Sequence, residues 1–78
     1  MTLQQFMIAY QENRRDIFVL HYSNYQEICR IRMVEYFTDY DIKYGDNTVS
    51  EFMIGVVDET CLVISIYLDL ECPHEAEE

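Results

Sequence analysis

Four β-rich runs arranged in two pairs constrain the fold of this chain more than any other feature. The runs are residues 17–22, 27–33, 49–57 and 61–68. Ser23-Asn24 lies between the first two runs, and residues 58–60 lie between the last two. Short polar connections of this length join antiparallel strands. The sequence therefore predicts two β-hairpins.

A capping-box pattern precedes the first hairpin. The hydroxyl of Thr2 can accept a hydrogen bond from the backbone N–H of Gln5, while the Gln5 amide reaches back to Thr2. Apolar side chains follow at helical spacing, at Leu3, Phe6, Met7 and Tyr10. Arg14 and Arg15 suit the negative end of a helix dipole. The pattern predicts a helix over residues 3–13.

The segment between the hairpins, residues 34–46, fits two structures. Met33, Phe37 and Tyr40 share one face of a helix, but alternating apolar residues in 34–44 also suit a strand. We favour a short helix, because it joins the hairpins without an over-long strand. The predicted fold class is α+β: a single small domain (residues 1–70) with a four-stranded antiparallel sheet in the order αββαββ, followed by an acidic C-terminal tail (residues 71–78).

One face of such a sheet packs on the helices, and the other is also apolar. The helix-facing set is predicted to be Phe18, Leu20, Cys29, Ile31, Phe52, Ile54, Val56, Leu62, Ile64 and Ile66. The opposite face then holds Ile17, Val19, His21, Met53, Val57, Val63 and Tyr67. A contiguous apolar patch of this kind usually marks an interface, so a homodimer or another partner is expected there. In the alternative, the middle segment or the tail covers it.

The charge of the chain is unevenly distributed. The formal net charge is −10, and every charged residue after Lys43 is acidic. Such a surface repels nucleic acid and anionic membranes and attracts a basic, nucleic-acid-binding protein. Four acids are the candidate partner-binding residues: Asp58, Glu59, Asp69 and Glu71. The alternative is that the charge only confers solubility.

No catalytic pattern was found. The chain has no nucleophile elbow, no phosphate-binding loop among its two glycines and no His-Glu-x-x-His pair, so we expect that it is not an enzyme. Residues 1–5 lack the basic segment and following apolar run that are typical of a leader peptide, and no apolar run approaches the ~20 residues that span a bilayer, so neither is expected. Three cysteines, an odd number, indicate reduced thiols. Together these features predict a cytoplasmic protein of a bacterial host cell.

Cys72-Pro73-His74 is the one local group of strong metal ligands. With His21 and Cys29, which both approach the first hairpin turn, it could complete a tetrahedral structural zinc site. Cys61 is the reserve ligand. In the alternative, Cys29 and Cys61 are small core residues, His21 is an ordinary strand residue, and the tail is a surface segment.

The capped N-terminal helix and the closing hairpin, with Val49-Ser50-Glu51-Phe52 followed by Leu62-Val63-Ile64-Ser65-Ile66, resemble short accessory proteins of phages and integrative elements in Gram-positive bacteria. Type II-A anti-CRISPR proteins come from this group and are similarly small and acidic. The resemblance implies a protein-binding inhibitor that binds Cas9 and blocks its nucleic-acid loading. The resemblance does not assign a functional role to any individual residue of this chain. The alternative is a dimeric structural or regulatory accessory module, with or without zinc.

Overall fold

The computed structural model describes residues 1–10 and 16–73. In chain order they form α1 (Leu3–Ala9), β1 (Ile17–His21), β2 (Glu27–Arg32), α2 (Met33–Glu35), a π-helical turn (Tyr36–Tyr40), α3 (Asp41–Tyr44), β3 (Val49–Asp58) and β4 (Cys61–Leu68). The α+β class and the order αββαββ are confirmed. The predicted middle helix consists of α2, the π-helical turn and α3 in direct succession, and we call it the middle helix.

The four strands form one sheet in the order β2-β1-β4-β3. Both hairpins are antiparallel, but the central strands β1 and β4 run parallel. The prediction of a wholly antiparallel sheet was wrong at this pair. The middle helix carries the chain from β2 at one edge to β3 at the other, so β4 returns beside β1 in the same direction. Parallel neighbours require a crossover of this kind.

The capping box at the start of α1 is confirmed. The backbone N–H of Gln5 donates to Thr2 Oγ1 at 3.2 Å, and the N–H of Thr2 donates to Gln5 Oε1 at 2.9 Å. The same segment is tied to the start of β3, because Val49 N–H donates to the Met1 carbonyl at 2.9 Å. These bonds fix α1 beside the outer strand.

The first helix ends earlier than predicted. Its last residue is Ala9, and Tyr10 has left the helical conformation at φ −102° and ψ 60°. The side chain of Tyr10 makes tertiary contacts instead: its ring meets Phe18 edge-on with centroids 5.5 Å apart, and its hydroxyl donates to Asp16 Oδ2 at 2.7 Å. Residues 11–13 of the predicted helix, and the basic pair that follows them, lie outside the described residues.

The core lies between the helices and one face of the sheet. Its buried members are Leu3, Phe6, Met7, Phe18, Leu20, Ile31, Met33, Tyr36, Tyr44, Ile64, Ile66 and Leu68. Tyr36 is fully buried, and its hydroxyl donates to Asp41 Oδ1 at 2.7 Å. Burial raises the pKa of Tyr36, and the bond to Asp41 raises it further. At Gly45 a Cβ atom would collide with the Asp41 carbonyl oxygen, so the turn after the middle helix requires glycine.

Candidate protein-binding surface

The outer part of the second hairpin extends past the helices. We call it the arm, residues 52–62. Five of its large apolar side chains are between 50% and 76% exposed: Phe52, Met53, Ile54, Val56 and Val57. The cause is length, because the seven residues of α1 span ~10 Å whereas the ten residues of β3 span ~33 Å. The helices therefore cannot cover the whole strand.

Three residues of β3 in the arm were predicted to face the helices, and they do so without being buried by them. Phe52, Ile54 and Val56 do lie on the helix-facing side, since they pair with Ile66, Ile64 and Leu62. All three are nevertheless exposed. Phe52 contacts α1, where its ring meets Phe6 edge-on with centroids 5.1 Å apart. Side-chain alternation identified the face correctly, but it does not report how far along a strand the covering helices reach.

An apolar groove runs beside the base of the arm. It has a volume of about 450 Å³ and is lined by Met1, Phe6 and residues 49–52. Met1 is itself 65% exposed. The groove opens at the outer edge of β3, and in the described part of the chain no strand pairs with that edge beyond Val49. The unpaired backbone groups of the β3 edge and the apolar side chains of the groove therefore lie next to each other.

The sheet face opposite the helices carries the residues that the sequence predicted for it. Its members lie outside the core cluster, and the described helices pack on the other face. Near one end of this face His21 stacks on Tyr67 with ring centroids 4.5 Å apart, and Tyr25 meets Tyr67 edge-on at 5.1 Å. Val63 and Tyr67 are half-buried, whereas Val19 is buried between its strand neighbours. Whether a partner covers this face stays a prediction.

The four candidate partner-binding acids do not form one cluster in a single copy. Asp58 and Glu59 lie at the tip of the arm, at the end of β3 and in the turn. Asp69 and Glu71 follow β4, whose eight residues separate the two pairs by roughly 25 Å. The Asp69 N–H donates to the Thr48 carbonyl at 2.7 Å, which fixes the second pair beside the start of β3.

The candidate zinc ligands are divided by the sheet. Cys29 pairs with Leu20 and so faces the helices, whereas His21, the next residue of β1, lies on the opposite face against Tyr67. Cys72 lies near the first hairpin turn, 3.0 Å from Gln26 Oε1. No group of three metal-ligating side chains occurs within residues 1–10 and 16–73. His74 lies outside those residues, and the zinc site stays a prediction.

The thiols at this end of the sheet are electrostatically coupled to Tyr22. Burial raises the pKa of Tyr22, and Tyr44, Cys72 and Cys29 raise it further, while Lys43 lowers it. Burial also raises the pKa of the Cys29 thiol, with Glu27 adding to the effect. A metal ion binding at Cys29 would displace a proton that is held more tightly than usual.

Asp16 was missed by the sequence analysis. It is fully buried, and it accepts hydrogen bonds from the Tyr10 hydroxyl at 2.7 Å and from the backbone N–H of Leu62 at 3.0 Å. These two bonds connect the end of α1 to β4 at Leu62, the point where the arm extends beyond the first residue of β1. The local sequence gives no signal for this role, because Leu62 is distant along the chain.

Comparisons with known proteins do not place the chain in a family. No family model, no curated protein and no solved structure matches it. In the described part of the chain, no helix is long and apolar enough to cross a membrane.

Proposed function

We propose that this protein is a non-enzymatic inhibitor that binds the basic surface of a nucleic-acid-binding protein and excludes the nucleic acid from it. The observation that carries the proposal is the charge of the second hairpin and its flanks. Every charged residue from Asp46 to Glu71 is acidic. Such a surface attracts Lys- and Arg-lined grooves and repels phosphate.

The distribution of these acids favours an elongated basic site. They are spread along the hairpin, from Glu59 at the tip, past Glu51 on β3, to Asp69 and Glu71 beyond the end of β4. Nucleic-acid channels are also elongated and present positive charge along their length. The exposed apolar side chains of the hairpin would add contact area that the charges alone do not supply.

Cas9 is the first partner to test, because the type II-A anti-CRISPR proteins that the chain resembles inhibit it. Guide-loaded Cas9 is incubated with increasing amounts of the protein before target DNA is added, and cleavage is measured. Inhibition that weakens as salt rises is expected, since charged encounter is screened. Full cleavage at large excess would exclude Cas9 and direct the search to other basic nucleic-acid-binding proteins.

Charge-reversal pairs separate the two acidic ends of the hairpin. The first variant is Asp58→Lys with Glu59→Lys, and the second is Asp69→Lys with Glu71→Lys. Both variants should bind the partner more weakly, mainly because they associate with it more slowly. Glu35→Lys with Asp39→Lys makes the same change in net charge on the exposed surface of the middle helix. Equal loss of inhibition in this control would show that net charge, and not the hairpin, matters.

A dimeric accessory module is the second candidate function, and the apolar sheet face opposite the described helices favours it. Val63 and Tyr67 lie on that face, and a charge there would be buried unpaired in an interface. Light scattering on Val63→Glu should then report a folded monomer from a dimeric wild type. An unchanged mass would exclude this face as the dimer contact.

A structural zinc ion remains part of the proposal. Metal bound only by the native state stabilises by mass action, by ~4 kcal/mol at a thousandfold excess over the dissociation constant. Chelation should lower the melting temperature of the wild type and leave Cys72→Ser unaffected. Elemental analysis of protein purified without a histidine tag provides the direct measurement, and absence of stoichiometric zinc would end this part of the proposal.

A further inference from the structure

We infer that the outer edge of β3 pairs with the same edge of a second copy, in antiparallel register centred on Ile54. This inference goes beyond the proposed function and stands even if no basic partner is found. The starting observation is that β3 is an edge strand whose outer side is unpaired beyond Val49 within the described residues. Exposed, apolar edge strands are the sites at which sheets add another strand.

The charge pattern of β3 favours this register over the one centred on the next residue, Gly55. Its charged residues are Glu51 and Asp58 at the two ends of the apolar stretch. Centring on Ile54 places Glu51 opposite Val57 of the second copy, so no like charges face each other. Centring on Gly55 would instead place Glu51 opposite Glu59 of the second copy, which is unfavourable. The same sequence thus complements itself in the first register and not in the second.

The groove beside the arm fits this arrangement. In the Ile54-centred register, Phe52 of one copy faces Val56 of the second copy, and both lie on the helix-facing side. Val56 is 76% exposed and the groove lined by Met1, Phe6 and Phe52 is open. Each copy would therefore insert Val56 at the groove of the other, which covers the part of the arm that its own helices do not reach.

The available apolar area reaches the lower end of what a stable dimer needs. The large apolar side chains at least half exposed along this edge and its groove are Met1, Phe52, Met53, Ile54, Val56 and Val57. At roughly 100 Å² each, about half of a buried aromatic side chain, they provide ~600 Å² per partner, the lower end of the range for stable interfaces. Two-fold pairing also removes two free sheet edges at once.

Dimerisation would also bring the two pairs of candidate partner-binding acids, one from each copy, close together. The tip of one arm, where Asp58 falls opposite Ser50, would meet the Met1–Thr2 segment that pairs with the start of β3 in the second copy, close to Asp69, which is held against Thr48. Two strand spacings and about two residues along the strand, on the order of 10–15 Å, then separate the acidic pairs. Their repulsion is screened by salt, so this dimer should become tighter as salt rises. Binding to a basic partner should become weaker, which makes the two proposals distinguishable.

The test is sedimentation velocity of the wild type from low micromolar to near-millimolar concentration, at low and high salt. A monomer–dimer equilibrium that salt strengthens is expected. Val56→Lys and, separately, Ile54→Lys should weaken dimerisation on the order of a hundredfold, because each would bury an unpaired charge. Val34→Lys is the matched control, a lysine at a valine that is 66% exposed on the middle helix. Circular dichroism checks that each variant folds.

Disulfide trapping tests the register. The background has Cys29, Cys61 and Cys72 changed to Ser. In it, Ile54→Cys should form a disulfide between position 54 of one copy and position 54 of the second copy, whereas Val57→Cys should form no disulfide between copies. Each of the following results would overturn the inference: a wild type that is monomeric throughout, equal weakening by Val34→Lys and Val56→Lys, or dimerisation lost only in Val63→Glu. A dimer that salt weakens would also overturn it.

Discussion

The two edges of the sheet differ in how they are protected. The outer strand of the first hairpin, β2, carries Glu27, Arg30 and Arg32 within six residues. The outer strand of the second hairpin, β3, has no charge between Glu51 and Asp58. Charged side chains on an edge oppose the addition of another strand. The charges on β2 therefore keep that edge solvent-exposed, whereas the edge of β3 is suited to pairing with another strand.

The two hairpins also differ in how much of them the helices cover. In the first hairpin the helix-facing residues Phe18, Leu20 and, on the outer strand, Ile31 are buried, whereas every residue from Ser50 to Val57 is exposed. A strand pattern alone would treat the two outer strands alike. The difference shows that the stability of this protein should depend on the covered residues, while its interactions should depend on the arm.

The largest expected effect comes from two isoleucines that face each other. Ile64 is fully buried, and its cross-strand partner Ile54 is 54% exposed. Ile64→Ala should lower the free energy of unfolding by ~2–5 kcal/mol. Ile54→Ala should cost about 1 kcal/mol or less when measured in urea at low protein concentration. Equal losses would show that the arm is covered in the native state.

Asp16 connects the covered part of the molecule to Leu62 in the arm. Asp16→Ala removes the acceptor of two partly buried hydrogen bonds, from the Tyr10 hydroxyl and from the Leu62 N–H, and the loss of such bonds costs ~1–3 kcal/mol. Denaturation should show this loss, and Asp16→Asn, which keeps one carbonyl oxygen, should lose less. Asp39→Ala, at an exposed acid, is the control. An equal effect of the control would contradict a specific role for Asp16.

Alkaline pH should affect the covered side through Tyr36. Because its folded-state pKa is raised, the stability it contributes is complete below the unfolded-state pKa of ~10 and is lost as pH rises above that value. Tyr36→Phe should cost about 1 kcal/mol at neutral pH through the lost bond to Asp41. The stability gap between wild type and Tyr36→Phe should narrow above pH ~10. Urea titrations across this range measure it, with Tyr25→Phe as the control, and a constant gap would refute the assignment.

The smallest effect is expected on the charged edge. Arg30 Nε lies 3.1 Å from Glu27 Oε2, and both side chains are largely exposed. Exposed ion pairs contribute only ~0–1 kcal/mol, so Arg30→Ala should change thermal stability very little. A loss comparable to that of Ile64→Ala would mean that the two edges are less different than their exposure indicates.

Local patterns predicted most of the fold. The capping box at Thr2, the two hairpins and the middle helix depend on neighbouring residues, and the structure contains all of them. The parallel pairing of β1 with β4 was missed, because nothing in either strand specifies its direction relative to a distant neighbour. The length of α1 was overestimated because Tyr10 makes tertiary contacts with Phe18 and Asp16, which its neighbours in the sequence do not indicate.

The candidate binding surface was predicted only in part. Alternation placed Ile54 and Val56 on the correct face, but their exposure depends on the different lengths of strand and helix. The partner-binding acids were chosen from their position in the sequence, and the structure places them at the two ends of the second hairpin. The zinc ligands were grouped by proximity to a turn, which does not show that His21 and Cys29 face opposite sides.

The parallel pair at the centre of the sheet has a consequence for the order of folding. Each hairpin can close through local contacts in microseconds, but β1 and β4 meet only after a long loop has been ordered. During synthesis β1 must wait for Leu68, the last residue of β4, before its second neighbour is complete. Until then the apolar faces of both hairpins are open to solvent, and this interval is when the chain is most exposed to aggregation.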